Sequence, residues 1–128
     1  MKPEKNYTGS HNARRASIAD ALAAVAAIAQ GLPSAFIFEH CSLQVKMYRP
    51  SKQDLQRPHT RDELYVIARG SGWFVNGLER HAFGTGDVLF VPAGAEHRFE
   101  EFTGDFCTWV VFYGPEGGEQ SAETMVHK

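Results

Sequence analysis

Residue types able to do chemistry gather in the run His59-Thr60-Arg61-Asp62-Glu63-Leu64-Tyr65-Val66-Ile67-Ala68-Arg69-Gly70. A histidine and a glutamate stand four residues apart where a β-prone stretch begins. In an extended chain, residues i and i+4 project from one face. The imidazole of His59 and the carboxylate of Glu63 are therefore expected to converge, with Tyr65 and Ile67 continuing that face inward. Two such groups are too few to hold a metal ion well. A third candidate is His97, which follows a short apolar run from Val88 to Val91 and a Pro92-Ala93-Gly94 turn.

Together the two stretches resemble the motifs of the cupin family, written G-x5-H-x-H-x3-4-E-x6-G and G-x5-P-x-G-x2-H-x3-N. Gly86, Pro92, Gly94 and His97 match the second motif at its spacing. His59, Glu63 and Gly70 match the first as its second histidine, its glutamate and its closing glycine. Two positions depart: Arg57 stands where the first histidine belongs, and Glu101 where the final asparagine does. The resemblance covers roughly residues 34–113. It implies an all-β fold, an antiparallel double-stranded β-helix (jelly-roll cupin barrel), joined here by one N-terminal helix. It further implies a metal site in the barrel mouth, with His59, Glu63 and His97 as ligands, and a homodimer. Cupins host many activities, so the fold alone names no reaction.

Two histidines and a carboxylate suit one divalent transition metal, with iron, manganese, zinc and nickel all compatible. Such a set leaves a net charge near +1 and open positions for water or substrate. The ion could polarise a carbonyl or enolate oxygen, or lower the pKa of bound water. The function implied is a metal-binding cupin acting on a small anionic molecule, by dioxygenase, isomerase or lyase chemistry. The alternative is a non-catalytic cupin that binds or senses a small ligand or metal. A third reading is a hydrogen-bonded cluster of the same residues with no metal.

Arg57 shares strand parity with His59, and its charge opposes a cation. It could bind a substrate carboxylate beside the metal, or form a structural ion pair with Glu101 or Asp62, which is the plainer reading. Tyr65 is either core packing or a substrate contact. Gln53 or Gln56 could supply a fourth oxygen ligand, although glutamine is a weak choice. Asp62 has the opposite parity and is expected to face away. Glu101, four residues after His97, is either a partner that orients that ring or a solvated acid.

The elements that must position these residues follow from periodicity. Residues 1–15 read as a mobile polar arm that includes His11, and residues 16–113 as one domain. Ser17-Ile18-Ala19-Asp20 has the form of a capping box, and Ile18, Leu22, Val25 and Ile28 recur at helical spacing. A helix over 17–30, closed by Gly31 and Pro33 and packed outside the sheet, is expected. The barrel spans 34–113. Its first strand alternates Cys41, Leu43, Val45 and Met47 with polar His40, Ser42, Gln44, Lys46 and Tyr48. Asn76-Gly77 marks a hairpin whose central residues need positive φ. Phe106 to Tyr113 is apolar on both faces, which suggests burial between two sheets or at a subunit contact. Residues 114–128, including His127, read as a flexible tail. Tyr65, Phe90, Phe99 and Trp109 are expected to be core, and His40 and His81 surface.

Length and composition bound the rest. A chain of 128 residues makes one domain with a real core. A net charge of −2 gives no basic footprint, so no nucleic-acid partner is expected. The alanine-rich stretch from 21 to 29 is too short to span a membrane, and no leader is recognisable, so a cytoplasmic protein with a small-molecule ligand is expected. Cys41 and Cys107 match no metal or redox spacing and read as free, buried thiols.

Overall fold

The computed structural model describes residues 14–120, so most of the N-terminal arm with His11, and the last eight residues with His127, lie outside the described residues. One helix, α1 (Ile18–Ala26), precedes eight strands. These are β1 (Ser34–His40), β2 (Leu43–Tyr48), β3 (Asp62–Arg69), β4 (Gly72–Asn76), β5 (Glu79–Phe83), β6 (Val88–Val91), β7 (His97–Glu100) and β8 (Cys107–Tyr113). They form two antiparallel sheets, one of five strands in the order β1-β2-β8-β3-β6 and one of three in the order β5-β4-β7. Between the sheets lies an aromatic core of Tyr65, Phe74, Phe83, Phe99 and Phe106 with Ile67, Val91 and Val110. This is the all-β barrel with one N-terminal helix that the motifs imply.

The helix starts as its capping box requires. Ser17 Oγ accepts from the Asp20 amide at 3.0 Å, and the Asp20 carboxylate accepts from the Ser17 amide at 3.3 Å. It ends at Ala26, earlier than the glycine and proline suggest, with Ala27 as its C-cap. Its apolar stripe packs on the outer face of the large sheet, against Ala35, Met47, Cys107 and Trp109. That explains the two-sided apolar character of β8. Val110 and Phe112 face the barrel interior, while Cys107 and Trp109 face the helix. No second subunit is required to cover them.

The same packing turns the first strand region around. What reads as one strand is the hairpin β1–β2, and Cys41 lies in its turn, exposed, with φ of 51°. Only Cys107 is buried. Because the helix covers the Met47 face, the polar series Gln44, Lys46 and Tyr48 points into the barrel rather than into solvent. Registers show this directly. Gln44 pairs with Phe112, which pairs with Glu63, and Lys46 pairs with Val110, which pairs with Tyr65.

Smaller departures have local causes. At the β4–β5 turn, Asn76 pairs with Glu79, so Gly77 and Leu78 are central. Only Gly77 has positive φ, at 62°, the pattern of a type II′ turn. Phe90 and Val88 lie on the outer face of β6, an edge strand, and are exposed rather than core. At Gly70, φ is 93° and a Cβ would stand 2.6 Å from Thr103 Oγ1 and 2.7 Å from Phe106 Cα. The closing glycine of the first motif is thus a packing necessity. No helix among the described residues is long and apolar enough to cross a membrane.

Candidate metal centre

His59, Glu63 and His97 each offer one ligand atom, and these atoms lie within 4.8 Å of one another. They arrive by different routes. Glu63 is the second residue of β3, wholly buried, and faces inward between Phe112 and Val91. His97 opens β7. His59 is not in a strand; it lies in the connector three residues before β3 starts. Strand parity is therefore not what converges His59 on Glu63. Its ring is held edge-on against Phe112, with centroids 4.9 Å apart, and its carbonyl accepts from the Gly94 amide at 2.7 Å. This bond ties the loop carrying His59 to the turn that delivers His97.

Asp62 faces away from the cluster, as its parity requires. Its carboxylate accepts from the Ala93 amide at 2.9 Å and the Glu119 amide at 2.8 Å. The Gly117 amide donates to Thr60 O at 2.7 Å. Residues 114–119, which read as a flexible tail, thus close over the joint between the two motif loops. Gly118 is fitted to this place: its φ is 89°, and a Cβ would stand 2.9 Å from Asp62 Oδ1.

The polar geometry inside the cluster is unusual. His97 Nδ1 lies 2.9 Å from Ala95 O, and a carbonyl can only accept, so Nδ1 carries the proton. In the neutral ring, Nε2 is then a lone pair, and it points at Glu63 Oε1 from 3.3 Å. His59 Nε2 lies 3.8 Å from Glu63 Oε2. Both Glu63 oxygens and His97 Nε2 are buried without a hydrogen-bond partner. Acceptors left facing one another in a dry interior are costly unless a cation or proton lies between them. Donors around one ion at about 2.1 Å stand roughly 3.0 Å apart in octahedral and 3.4 Å in tetrahedral arrangements. His97 Nε2 and Glu63 Oε1 at 3.3 Å lie within that range, whereas His59 Nε2 and Glu63 Oε2 at 3.8 Å lie beyond it, so His59 would close in on binding.

Electrostatics agree with this arrangement. Burial holds the His59 imidazole down to about 4, helped by His97 and Lys46, so the ring is neutral and ready to ligate. Burial pushes Glu63 up to about 7 against the opposing effects of Tyr65 and Lys46. Without a counter-ion, this carboxyl is half protonated near neutrality.

Tyr65 is fully buried among Phe74 and Phe99, and its hydroxyl donates to Gln56 Oε1 at 3.1 Å. Arg57 is exposed, outside any strand, and joined to no acid among the described residues. The expected ion pair does not form, because Glu101 pairs with Arg80 at 2.8 Å and Asp62 is engaged by amides. Glu101 does not orient His97 either; Ala95 O does.

Residues that spacing did not flag complete the surroundings. A cavity of about 340 Å³ opens on His59 and is lined by Gln44, Thr60, Arg61, Phe112 and Glu116. The Arg61 guanidinium donates to Ser42 O, Gly114 O and Gln44 Oε1, and lies over the Phe112 ring. Lys46, on the inner face, stacks its ammonium over Phe36, and burial lowers its pKa while Glu63 offsets part of that. Neither cation has a carboxylate partner among the described residues. The signal for Lys46 was the polar series on β2, once the opposite face is assigned to the helix; Arg61, in the connector before β3, has no such signal.

A family model described as "Cupin domain" matches residues 45–113. An uncharacterized protein of Streptomyces coelicolor is 38% identical over 63 residues, which is 49% of this chain and 60% of that protein. The chain thus spans less than two thirds of this relative. Among solved structures, a conserved Streptococcus pyogenes protein of unknown function superposes with a TM-score of 0.59 at 19% identity, covering 82% of this chain and 93% of the other. A Thermotoga maritima protein, described as a predicted oxalate decarboxylase, superposes with a TM-score of 0.52 at 21% identity, covering 62% and 77%. At these identities the superpositions speak for the fold alone.

Proposed function

The chain belongs to the cupin family, and from that premise we propose that His59, Glu63 and His97 hold one divalent transition-metal ion at which a small anionic molecule is bound and transformed. The observation that carries this reading is the pair of buried acceptors, His97 Nε2 and Glu63 Oε1, facing each other at 3.3 Å with no donor between them. A metal-free cluster relieves that pair only by taking up a proton, which still leaves Glu63 Oε2 without a donor, whereas a cation satisfies all three atoms at once.

A bound ion of this kind supplies Lewis-acid polarisation of a substrate oxygen, or a water of lowered pKa. The chain's own residues do the rest. Glu63 offsets one unit of positive charge. Ala95 O fixes the His97 tautomer and ring plane. His59 forms the wall between the cluster and the cavity, which is of a size for a small ligand. Arg61 lines the cavity beside Glu116, and Lys46 adds a second positive charge near enough to Glu63 to oppose its protonation; this balance supports the choice of an anion. Dioxygenase, isomerase and lyase chemistry each fit these parts, and a product screen with keto-acid, hydroxy-acid and catechol substrates selects among them.

Element analysis of protein purified without an affinity-metal step tests the site. Near-stoichiometric metal in the wild type, lost in His97→Ala, is the expected result. A wild type that holds none, and takes up none from iron, manganese, nickel or zinc, overturns the proposal. Saturable ligand binding without product would instead favour the non-catalytic reading.

Metal uptake is also expected to depend on pH with a definite sign. The ion binds the deprotonated carboxylate, and Glu63 titrates at about 7 while His59 titrates at about 4. Through Glu63, each ion bound around pH 6 should therefore displace close to one proton, and by about pH 8 almost none. Apparent affinity should rise with pH across that window and level off above about 7. A flat affinity profile across that window would show that the carboxyl is not the group displaced.

A further inference from the structure

We propose that Gln56 Oε1 is a fourth protein ligand at this centre, supplied from the connector in place of the histidine that position 57 lacks. The inference rests on the metal reading above. The connector carries two glutamines, and the structure separates them. Gln53 is exposed, whereas Gln56 is half-buried with its amide at the cluster.

The orientation of that amide follows from its partners. Gln56 Nε2 donates to Asp54 Oδ2 at 3.0 Å, and a carboxylate facing it admits only the nitrogen. Oε1 must then be the atom turned inward. It receives the Tyr65 hydroxyl at 3.1 Å and stands 3.4 Å from His59 Nε2. An amide oxygen has two lone pairs, so one remains for a cation. A separation of 3.4 Å lets both atoms reach one ion, and a five- or six-coordinate ion would keep room for a ligand beside four protein donors. That separation is long for a hydrogen bond from a neutral His59 carrying its proton on Nε2, and such a bond would leave both Glu63 oxygens unsatisfied.

The surroundings hold this oxygen in place before any ion arrives. Asp54 is itself fixed by the Tyr48 hydroxyl at 2.6 Å, the Gln56 amide N–H at 3.1 Å and the Phe99 amide at 2.9 Å. Gln56 is thereby pinned at its backbone and at its side-chain nitrogen by one carboxylate. Arg57, one residue on, is exposed. The neutral oxygen keeps the net charge of the ligand set at that of one carboxylate, as a histidine would.

Cobalt(II) is the probe, because its visible absorption reports ligand number and type independently of activity. Wild type, Gln56→Ala, Gln56→Glu and Gln53→Ala are titrated against a competing chelator, with thermal melts to confirm folding. Expected are about a tenfold weaker affinity and shifted absorption bands for Gln56→Ala, shifted bands without a gain in affinity for Gln56→Glu, whose second oxygen would face Asp54 Oδ2, and no change for Gln53→Ala. Weaker binding with unshifted bands would mean that Gln56 acts only through its hydrogen bonds, and unchanged affinity with unchanged bands would mean no role at all. Either result overturns the fourth ligand and leaves the three-residue site standing. A wild type that binds no cobalt overturns both.

Discussion

Glu63→Gln is expected to weaken divalent-metal binding at least about a hundredfold, beyond the roughly 10–100-fold lost with an outer-shell partner. In the metal-free protein the same change should raise stability at pH 8 by about 3 kcal/mol. The second effect follows from linkage. Burial pushes Glu63 up to about 7 in the folded chain, against an ordinary 4.5 for the carboxyl in water. Between those values the folded state holds a proton that the unfolded state has released, so stability falls as pH rises, and the full cost is present above about 7. At 1.36 kcal/mol per unit, the gap comes to about 3 kcal/mol. His59 has the opposite sign, since its folded value is depressed to about 4 and its contribution is lost as pH falls below the ordinary imidazole value of 6.5. That contribution is common to both proteins and cancels in the comparison. The glutamine can also donate to His97 Nε2, removing the confrontation of two acceptors. Denaturant titrations of both apoproteins at pH 5 and pH 8 measure the effect. A stability difference that does not change with pH would falsify the raised carboxyl, and undiminished metal affinity in the variant would remove Glu63 from the site.

Asp54→Ala is expected to cost about 3 kcal/mol, on the order of 10–20 °C in melting temperature for a domain of this size. Its carboxylate accepts from Tyr48 in β2 of the large sheet, from Phe99 in β7 of the small one, and twice from Gln56 in the connector between them. One side chain therefore joins both sheets to the loop that carries the site. Removal leaves the Phe99 amide and the Tyr48 hydroxyl without their acceptor in a largely apolar surround. Asp54→Asn, which keeps one accepting oxygen, should lose less. Metal affinity should drop in both variants, because nothing then pins the Gln56 amide. Thermal melts and chelator competition on the two variants decide this, and a loss under about 1 kcal/mol would show that the connector is held by something else.

The parts of this molecule that were legible in the sequence are those fixed by short-range rules. The capping box at Ser17 and Asp20 and the outer packing of the helix appear as the spacing suggests, and His59, Glu63 and His97 cluster as the motifs imply, although His59 arrives from a loop and not by strand parity. Alternation was legible on β2, but its direction was not. A strand with one polar and one apolar face normally turns the polar face to water, and here the helix claims the apolar face and sends Lys46 and Gln44 inward. That choice depends on a partner distant in sequence. The strand parity expected for Arg57 does not exist, because position 57 precedes the strand. Asp54 could not be found from pattern at all. It lies in an irregular connector, and its importance comes from four donors brought together by the closed barrel.

The segment after β8 also has a practical meaning. Glu119 and Gly117 are stitched to Asp62 and Thr60, beside the residues that would grip a metal. Proteolysis near Pro115 should therefore slow when metal or ligand braces that corner, and quicken when it is stripped away. A fluorophore on exposed Glu116, at the rim of the cavity, would turn the same stitching into an optical gauge of occupancy, readable before any substrate is known.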